Sequence, residues 1–216
     1  MESLGEYFHK HILLQKEKYE WLLKPLAELN MHVQRIANFG CSEGQETLTL
    51  MCMLGASEAI GIDMDEQNIR NAQSTLKIIQ NIIWARGVPN DAPGFLKSPH
   101  LEEVVKFYPL DITSKVTNLP ANYYDFVFCD FVLHKIWRDQ GGRNETQTAI
   151  QEMVRVARSG GLIAAREPTQ LLGDKTFEVD FGALFEKNGL RSIYIEQMPF
   201  EHGHYTKYVY SKENTA

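Results

Sequence analysis

The chain has 216 residues, of which 44% are hydrophobic and 23% are charged, with a formal net charge of -6. This length favours a single domain with a full hydrophobic core, and the hydrophobic content excludes a disordered tail protein. The acidic balance argues against a general nucleic-acid binder, which needs a clustered cationic surface. The N-terminal residues lack the basic start and apolar segment of a signal peptide, and the sequence has no apolar run of the ~20 residues that would span a membrane. We therefore expect a soluble, cytoplasmic protein.

The three cysteines are Cys41, Cys52 and Cys129, an odd number without Cys-x-x-Cys spacing. This pattern predicts reduced thiols rather than a disulfide framework or a zinc site. We therefore expect no structural metal.

The hydrophobic pattern alternates along the chain between helical and strand periods. A first helix is predicted over residues 5–30, with an interruption at Lys24-Pro25 because proline disfavours helical geometry in the residue before it. The predicted strands are Arg35–Phe39, Glu58–Asp63, Val104–Tyr108, Tyr124–Cys129, Leu162–Arg166, Arg191–Glu196 and Tyr205–Tyr210. The other predicted helices are Glu43–Leu54, Asp65–Trp84, Asn144–Arg158 and Phe177–Asn188.

Strands that alternate with helices predict a parallel sheet covered on both faces. The last two strands are joined by the short turn Glu201-His202-Gly203-His204, so they must run antiparallel. The predicted fold is a doubly wound, mostly parallel, seven-stranded α/β sheet with helices on both faces and an antiparallel C-terminal hairpin. Ligands of such sheets bind beyond the carboxyl ends of the strands.

The segment from Ile36 to Gly44 is the most informative motif, because it combines a strand, a small-residue loop and a helix start. Gly40 allows a tight turn, and Gly44 lets a ligand or a strand approach the helix closely. The helix amides that follow attract a negatively charged group. A glycine turn without a ligand is the simpler alternative.

The same residues match Gly-x-Ser-x-Gly, the nucleophile turn of some hydrolases, with Ser42 as nucleophile. The acid would then be Asp130 or Glu167, and the base His202 or His204. Nothing else in the chain supports this alternative, since a helical segment rather than a strand-rich region precedes Gly40.

Acidic residues follow three of the predicted strands. Asp63 ends the second strand about 20 residues beyond the glycine loop, where a nucleotide-binding βαβ unit places the carboxylate that accepts the ribose hydroxyls. Asp63 could instead cap the next helix. Asp111 follows the third strand at a position where it could meet a base amino group, and Asp130 follows the fourth.

Five motifs in order give the chain its resemblance to class I S-adenosylmethionine-dependent methyltransferases, over about residues 33–167. Asn38–Gly44 resembles the family's acid-x-Gly-x-Gly-x-Gly loop, and Gly61–Asp65 its ribose-binding strand end. Leu110–Ile112 resembles the adenine-contacting segment, and Asp125–His134 the fourth motif. Arg158–Ile163 stands where the family usually has Lys-Pro-Gly-Gly before its fifth strand.

The resemblance implies S-adenosylmethionine as cofactor and transfer of its methyl group. It implies a cofactor site formed by Asn38, Gly40, Cys41, Ser42, Gly44, Asp63, Met64, Asp111, Ile112, Asp130 and Phe131. Asn38 departs from the family's Asp or Glu, so a carboxylate near the ligand ammonium is missing. Ser42 replaces the middle glycine, and the Arg86–Pro99 insert is longer than the usual link.

Residues on the acceptor side are predicted less directly. His134, just after the fourth strand, could accept a proton near neutral pH, and helix packing is the alternative. Glu167 could orient an acceptor or lie on the surface. His202 and His204 fall in a turn, where polar residues are common.

Two longer segments could also border the site. The Arg86–Pro99 insert could shape a pocket or be a surface loop. The aromatic residues Tyr7, Phe8, Tyr19 and Trp21 could form a lid or pack as an ordinary helix face.

We therefore predict one methyltransferase domain over residues 1–216, acting on an oxygen or nitrogen of a small molecule. Residues 1–32 would form an N-terminal helical extension, 33–167 the cofactor-binding core and 168–216 the acceptor side. Two alternatives are a non-catalytic cofactor-binding protein and a methyltransferase acting on protein or RNA. The latter requires a basic surface, for which the candidates are Lys97, Lys106, Arg138, Arg143 and Arg155.

Overall fold

The computed structural model describes residues 16–88, 92–114, 117–139, 142–171, 177–200 and 203–213. The chain packs as two compact units, residues 1–110 and residues 111–216. Within the described residues, no helix combines the length and the apolar character needed to cross a membrane.

The first unit has three parallel strands, in the order β3-β2-β1. They are β1 (Arg35–Phe39), β2 (Glu58–Asp63) and β3 (Val105–Pro109). Four consecutive residues in each of β1 and β2 are buried, as expected of parallel strands covered on both faces. The parallel register places the carboxyl ends of β1 and β2 side by side, with Phe39 opposite Ile62.

The helices of the first unit begin and end at recognisable capping residues. After a 3₁₀ helix at Lys16–Leu22, they are α1 (Leu23–Glu28), α2 (Gln45–Leu54), α3 (Glu66–Arg86), a second 3₁₀ helix at Gly94–Lys97 and α4 (Leu101–Val104). α2 stops at Gly55, whose φ of 67° is the left-handed geometry of a helix C-cap. Asp65 caps α3 by accepting the amide of Gln67 at 2.7 Å.

The second unit has its strands in the order β4-β5-β8-β7, with β6 paired to β5. They are β4 (Tyr124–Asp130), β5 (Ala157–Leu171), β6 (Phe177–Glu178), β7 (Leu190–Phe200) and β8 (Gly203–Lys212). β4 and β5 are parallel, whereas β8 runs antiparallel to both β5 and β7. The helices are α5 (Leu133–Asp139), α6 (Arg143–Val156) and α7 (Phe181–Lys187).

The predicted fold class is confirmed: the chain is a doubly wound, mostly parallel α/β protein whose C-terminal hairpin is antiparallel. All seven predicted strands are present. The two-residue strand β6 and the short helices α4 and α5 were not predicted. Gly203 and His204, predicted as a turn, already belong to β8, while the predicted turn residues 201 and 202 lie outside the described residues.

Several predicted boundaries are wrong for identifiable reasons. α6 ends at Val156 and β5 already begins at Ala157, because the following glycines run close beside β4. A Cβ at Gly161 would lie 3.1 Å from the backbone oxygens of both Tyr124 and Asp125. α7 starts at Phe181 rather than at residue 177, because Asp180 caps it by accepting the amide of Ala183 at 2.9 Å.

The predicted helical break near Lys24-Pro25 lies slightly earlier, at the change from the 3₁₀ helix to α1. Pro25 occupies the first turn of α1, where a helix has no intrahelical partner for the missing amide.

Candidate active site

The loop between β1 and α2 is a tight turn that requires left-handed backbone at three positions. Gly40, Ser42 and Gly44 have φ angles of 76°, 49° and 82°, a region that favours glycine. The amides of Gly40 and Cys41 both donate to the carbonyl of Ile62, at 2.8 and 2.9 Å. The loop is thereby fixed to the carboxyl end of β2.

Gly44 is needed for packing between elements of the first unit. A Cβ at Gly44 would lie 2.7 Å from Phe107 Cζ and 2.8 Å from Ala72 Cβ. The sequence suggested that Gly44 lets either a ligand or a strand approach the helix closely. The structure shows the close approach of a strand, β3, together with α3. Gly61 has the same neighbour, because its Cβ would lie 2.6 Å from the Phe107 ring.

Asp63 is held at the end of β2 by backbone amides. Its Oδ2 accepts the amide of Ser42 and its Oδ1 the amide of Asp65, each at 2.9 Å. The alternative role of Asp63 as the cap of α3 is wrong, since Asp65 makes that cap. Asn68 Nδ2 also donates to Oδ1, at 3.4 Å. A carboxylate offers about four lone-pair directions, so Asp63 retains capacity to accept a further hydroxyl proton from a ligand.

Asn38 is fully buried at the end of β1, and half of its amide group has no partner. Its Nδ2 donates to Thr47 Oγ1 at 3.0 Å, whereas Oδ1 is buried without a hydrogen bond. A buried acceptor left unpaired costs free energy that a ligand donor can recover. An ammonium group at this position fits the orphaned oxygen, so the residues present fit S-adenosylmethionine.

The two other predicted residues of this region differ in exposure. Cys41 is buried and its thiol contacts the carbonyl of Ser42 at 3.6 Å, while Met64 is 59% exposed beside Asp63. Burial raises the pKa of Cys41, and the carboxylates of Asp63 and Glu46 raise it further.

Asp111 and Ile112 begin the second unit in a short turn. Asp111 Oδ1 accepts the amide and the hydroxyl of Thr113, at 2.9 and 2.7 Å, and its side chain is exposed. Ile112 is buried. The turn fixes the direction of the Asp111 carboxyl group.

A buried ion pair that sequence reasoning missed joins the carboxyl end of β4 to the interior of β5. Asp130 and Arg166 are opposite each other in the parallel register, and the guanidinium binds both carboxylate oxygens at 2.8 and 2.6 Å. The guanidinium carbon also lies 4.9 Å from the centre of the Phe131 ring. Phe131 has a φ of 57°, a strained geometry that clusters at functional sites.

His134 and Glu167 form a second buried pair next to this one. His134 Nδ1 lies 2.8 Å from Glu167 Oε2, and the two side chains are 9% and 0% exposed. Glu167 also accepts three amides at the start of α5, those of Val132, Leu133 and His134, at 2.8, 2.8 and 3.2 Å. Of the two alternatives for Glu167, the surface location is therefore wrong, and Glu167 instead holds the start of α5 and the imidazole ring.

Other predicted features are placed away from these contacts or lie outside the described residues. Tyr19 is buried and donates to Glu46 Oε2 at 2.7 Å, which ties the N-terminal 3₁₀ helix to α2. Tyr7, Phe8 and His202 lie outside the described residues, as does part of the insert; its later part buries Phe95 and Leu96. Among the described residues, no group of three or more His, Cys, Asp or Glu could hold a metal ion.

A family model described as a methyltransferase domain matches residues 37–165, which is more than half of the chain. The chain belongs to this family. It is an S-adenosylmethionine-dependent methyltransferase, as the five ordered motifs implied, and the hydrolase alternative built on Ser42 is thereby excluded. No curated protein matches the chain.

Solved structures of methyltransferases share the fold at low sequence identity. The N-methyltransferase NodS from Bradyrhizobium japonicum WM9, in complex with S-adenosyl-L-homocysteine, is 15% identical with a TM-score of 0.63, over 98% of this chain and 94% of that chain. Magnesium protoporphyrin IX methyltransferase (ChlM) from Synechocystis PCC 6803, with bound S-adenosylmethionine, is 14% identical with a TM-score of 0.59, over 92% and 80%. These matches support the fold.

Proposed function

We propose that this methyltransferase transfers the methyl group of S-adenosylmethionine to an oxygen or nitrogen of a small molecule, with His134 accepting the proton of the acceptor. The observation that carries the proposal is the buried pair of His134, just beyond the carboxyl end of β4, and Glu167, within β5. The fold class binds its ligands beyond the carboxyl ends of its parallel strands.

The chemistry requires positioning more than catalytic machinery. The cofactor supplies a methyl group on a positively charged sulfur, so the displacement is accelerated mainly by alignment of the acceptor. Asn38 Oδ1 would accept from the ligand ammonium, and Asp63 from the ribose hydroxyls. The Gly40–Gly44 loop, with Cys41 and Ser42, would border the ligand, as would Met64, Asp111, Ile112, Asp130 and Phe131.

A hydroxyl or protonated amine acceptor must also lose a proton. Glu167 accepts three backbone amides, so its carboxylate acts as an acceptor and the imidazole proton lies on Nδ1. The ring lone pair is then on Nε2, where a proton can be taken from the acceptor. Residues 168–216 would border that acceptor, while residues 1–32 would extend the cofactor-binding core.

The alternative macromolecular acceptors receive less support. Two of the five candidate basic residues are paired with carboxylates: Arg138 with Asp139 at 2.6 Å, and Arg155 with Glu152 at 2.6 Å. Their charge is largely neutralised, which reduces the cationic surface that a nucleic acid would need.

The cofactor site is tested by calorimetric titration with S-adenosyl-L-homocysteine. Asp63→Ala should weaken binding by about 1–3 kcal/mol, the range for a hydrogen bond to a charged group. The exposed Asp139→Ala serves as control and should bind as the native protein does. No binding at high micromolar ligand would contradict the proposal.

Turnover with a panel of small phenols and amines then tests the acceptor class, and binding without any turnover would favour the non-catalytic alternative.

A further inference from the structure

A cavity of about 490 Å³ lies in the second unit between α7 and the strands β7 and β8. We call it the acidic pocket and define it by Thr169, Asp180, Glu186, Gln197, Thr206 and Tyr210. The side chains of Val179 and Ile195 add an apolar wall, and Ile195 is 49% exposed. This volume is in the range of small-molecule sites.

The charge of the acidic pocket has one sign. Among its described lining residues, Asp180 and Glu186 are the carboxylates, and none is Lys, Arg or His. The pKa of Tyr210 is raised to about 12 by burial and by the carboxylates of Glu186 and Asp180. Both carboxylates line the pocket, and their negative charge favours a positively charged ligand.

An unpaired polar atom at the base of the pocket provides a second, independent indication. Tyr210 is fully buried, and its hydroxyl has no hydrogen-bond partner. This hydroxyl faces the first turn of α7, where a Cβ at Gly182 would lie 3.1 Å from both Tyr210 Oη and Asp180 Oδ1. A buried hydroxyl without a partner is uncommon and costs free energy that a ligand can recover.

The acidic pocket adjoins the proposed proton acceptor through shared strands. Thr206 is the antiparallel partner of Glu167, and its hydroxyl lies 3.2 Å from that of Thr169. Burial, above all, raises the pKa of Tyr208, and the carboxylates of Asp180 and Glu167 both add to this rise. One lining residue of the pocket, Thr206, is thus the cross-strand neighbour of Glu167, which binds His134.

We propose that the acidic pocket binds the protonated amine of a small molecule, with the ammonium between Asp180, Glu186 and the Tyr210 hydroxyl. Hydroxyl, amide and carboxylate oxygens match the several N–H donors of an alkylammonium. The apolar wall and the volume favour an organic cation over a bare metal ion, which needs a denser set of oxygen ligands. The inference does not rest on the proposed function, since it assigns the pocket a ligand and no role in methyl transfer.

Three probes of matched shape and different charge test the pocket: 1-butylamine, 1-butanol and butyrate, at about pH 7, where an alkylamine is protonated. Binding is followed by amide chemical shifts of α7, β7 and β8 in the full chain. We expect butylammonium to bind about tenfold more tightly than butanol, with no detectable binding of butyrate.

Variants locate the site. Asp180→Asn keeps the cap of α7, since Asn is as good an N-cap as Asp, and should weaken butylammonium binding about tenfold, as should Glu186→Gln. Tyr210→Phe removes only the hydroxyl and should weaken binding too. Glu103→Gln, on the exposed face of α4, removes the same charge and should change nothing.

The inference is overturned if butanol binds as tightly as butylamine, or if Asp180→Asn and Glu186→Gln both leave amine binding unchanged. Its failure is distinguishable from that of the proposed function. Methyl transfer without amine binding in the pocket would contradict the inference alone. Amine binding that depends on Asp180, with no methyl transfer to any acceptor, would contradict the proposed function and leave the pocket assigned.

Discussion

His134 has a defined orientation because Glu167 is itself immobilised. Both oxygens of Glu167 are occupied by the amides that begin α5 and by the imidazole. A carboxylate held by backbone amides cannot rotate without breaking several charge-assisted hydrogen bonds. In the proposed function, Glu167 would therefore act as a positioning residue that selects the ring tautomer a proton acceptor needs.

Replacing Glu167 separates this positioning role from cofactor binding. Glu167→Gln should lower kcat by roughly 10²–10⁴-fold, the range for loss of general-base assistance. The affinity for S-adenosyl-L-homocysteine should stay unchanged, and His134→Gln should lower kcat to a similar extent. The amide of Gln donates toward Nδ1, so the ring proton should move to Nε2.

Nitrogen-15 spectra of the imidazole report this tautomer directly. A purely structural role for Glu167 predicts a change in thermal stability with the tautomer and kcat retained, and that result would refute the positioning role. The exposed Glu103→Gln is the matched control for the loss of one carboxylate and should leave the spectra unchanged.

Sequence reasoning could name the residues of the candidate site but not all of their partners in the fold. Asn38, Asp63 and His134 could be named because each lies near the carboxyl end of a recognisable strand. The ion pair of Asp130 and Arg166 could not, because it depends on the register between β4 and β5, whose paired residues are 36 positions apart. The one available signal was the charged dipeptide Arg166-Glu167 at the end of an apolar strand.

Among the secondary-structure elements, α6 is anchored by a charged network on its last turns. Arg155 binds both oxygens of Glu152, at 2.6 and 2.7 Å, and donates to Leu119 O at 2.8 Å. The Thr117 hydroxyl donates to Glu152 as well. The network ties α6 to the segment that precedes β4.

This network predicts an acid-sensitive contribution to stability. Burial alone would raise the pKa of Glu152, but hydrogen bonds from Arg155 and Thr117 and the charge of Arg155 hold it below its ordinary value of 4.5. The stabilisation is therefore fully present above about pH 4.5 and is lost as the pH falls through the lower value of the folded state.

Glu152→Gln should lower the free energy of unfolding by about 1–3 kcal/mol at neutral pH. Because Arg155 is 37% exposed, solvent screening favours the lower end of this range. In urea titrations, the difference between native and variant proteins should shrink as the pH falls below 4.5. A difference that stays constant down to pH ~3 would contradict this assignment.

The elements that could be predicted from sequence were those with a sustained pattern. β2 was predicted at its observed bounds, Glu58–Asp63, and α2 and α3 were predicted within two residues. α4 and α5 are too short to show a helical period, and each depends on a tertiary contact. Gln80 Oε1 accepts the first amide of α4 at 2.8 Å, and Glu167 holds the start of α5.

On the scale of the whole molecule, the alternation of strands and helices sufficed to predict the fold class, because a parallel connection requires an intervening helix. The boundary between the two units, after Leu110, carries no Gly/Ser-rich linker and could not be predicted. Each unit nevertheless contains a buried thiol, Cys41 in the first and Cys129 in the second.

These thiols make the opening of each unit measurable by alkylation. Only the exposed thiolate reacts, and both Cys41 and Cys129 are at most 2% exposed. Their labelling by iodoacetamide should be strongly suppressed relative to the urea-unfolded chain, since it requires local or global opening. Cys52 is half-buried, and burial raises its pKa to about 12, so it should react slowly but before the other two.

The proposed cofactor contacts of Asn38 and Asp63 lie in the first unit, so a bound ligand must oppose the opening that exposes Cys41. Ligand at 100 times its Kd stabilises the bound state by about 2.7 kcal/mol. S-adenosyl-L-homocysteine should therefore slow the labelling of Cys41 by roughly 100-fold, as measured by mass spectrometry of the alkylated peptides. The Asp63→Ala variant at the same ligand concentration should show less protection, because its affinity is lower. A Cys41 rate that is the same with and without saturating ligand would place the cofactor away from the Gly40–Gly44 loop.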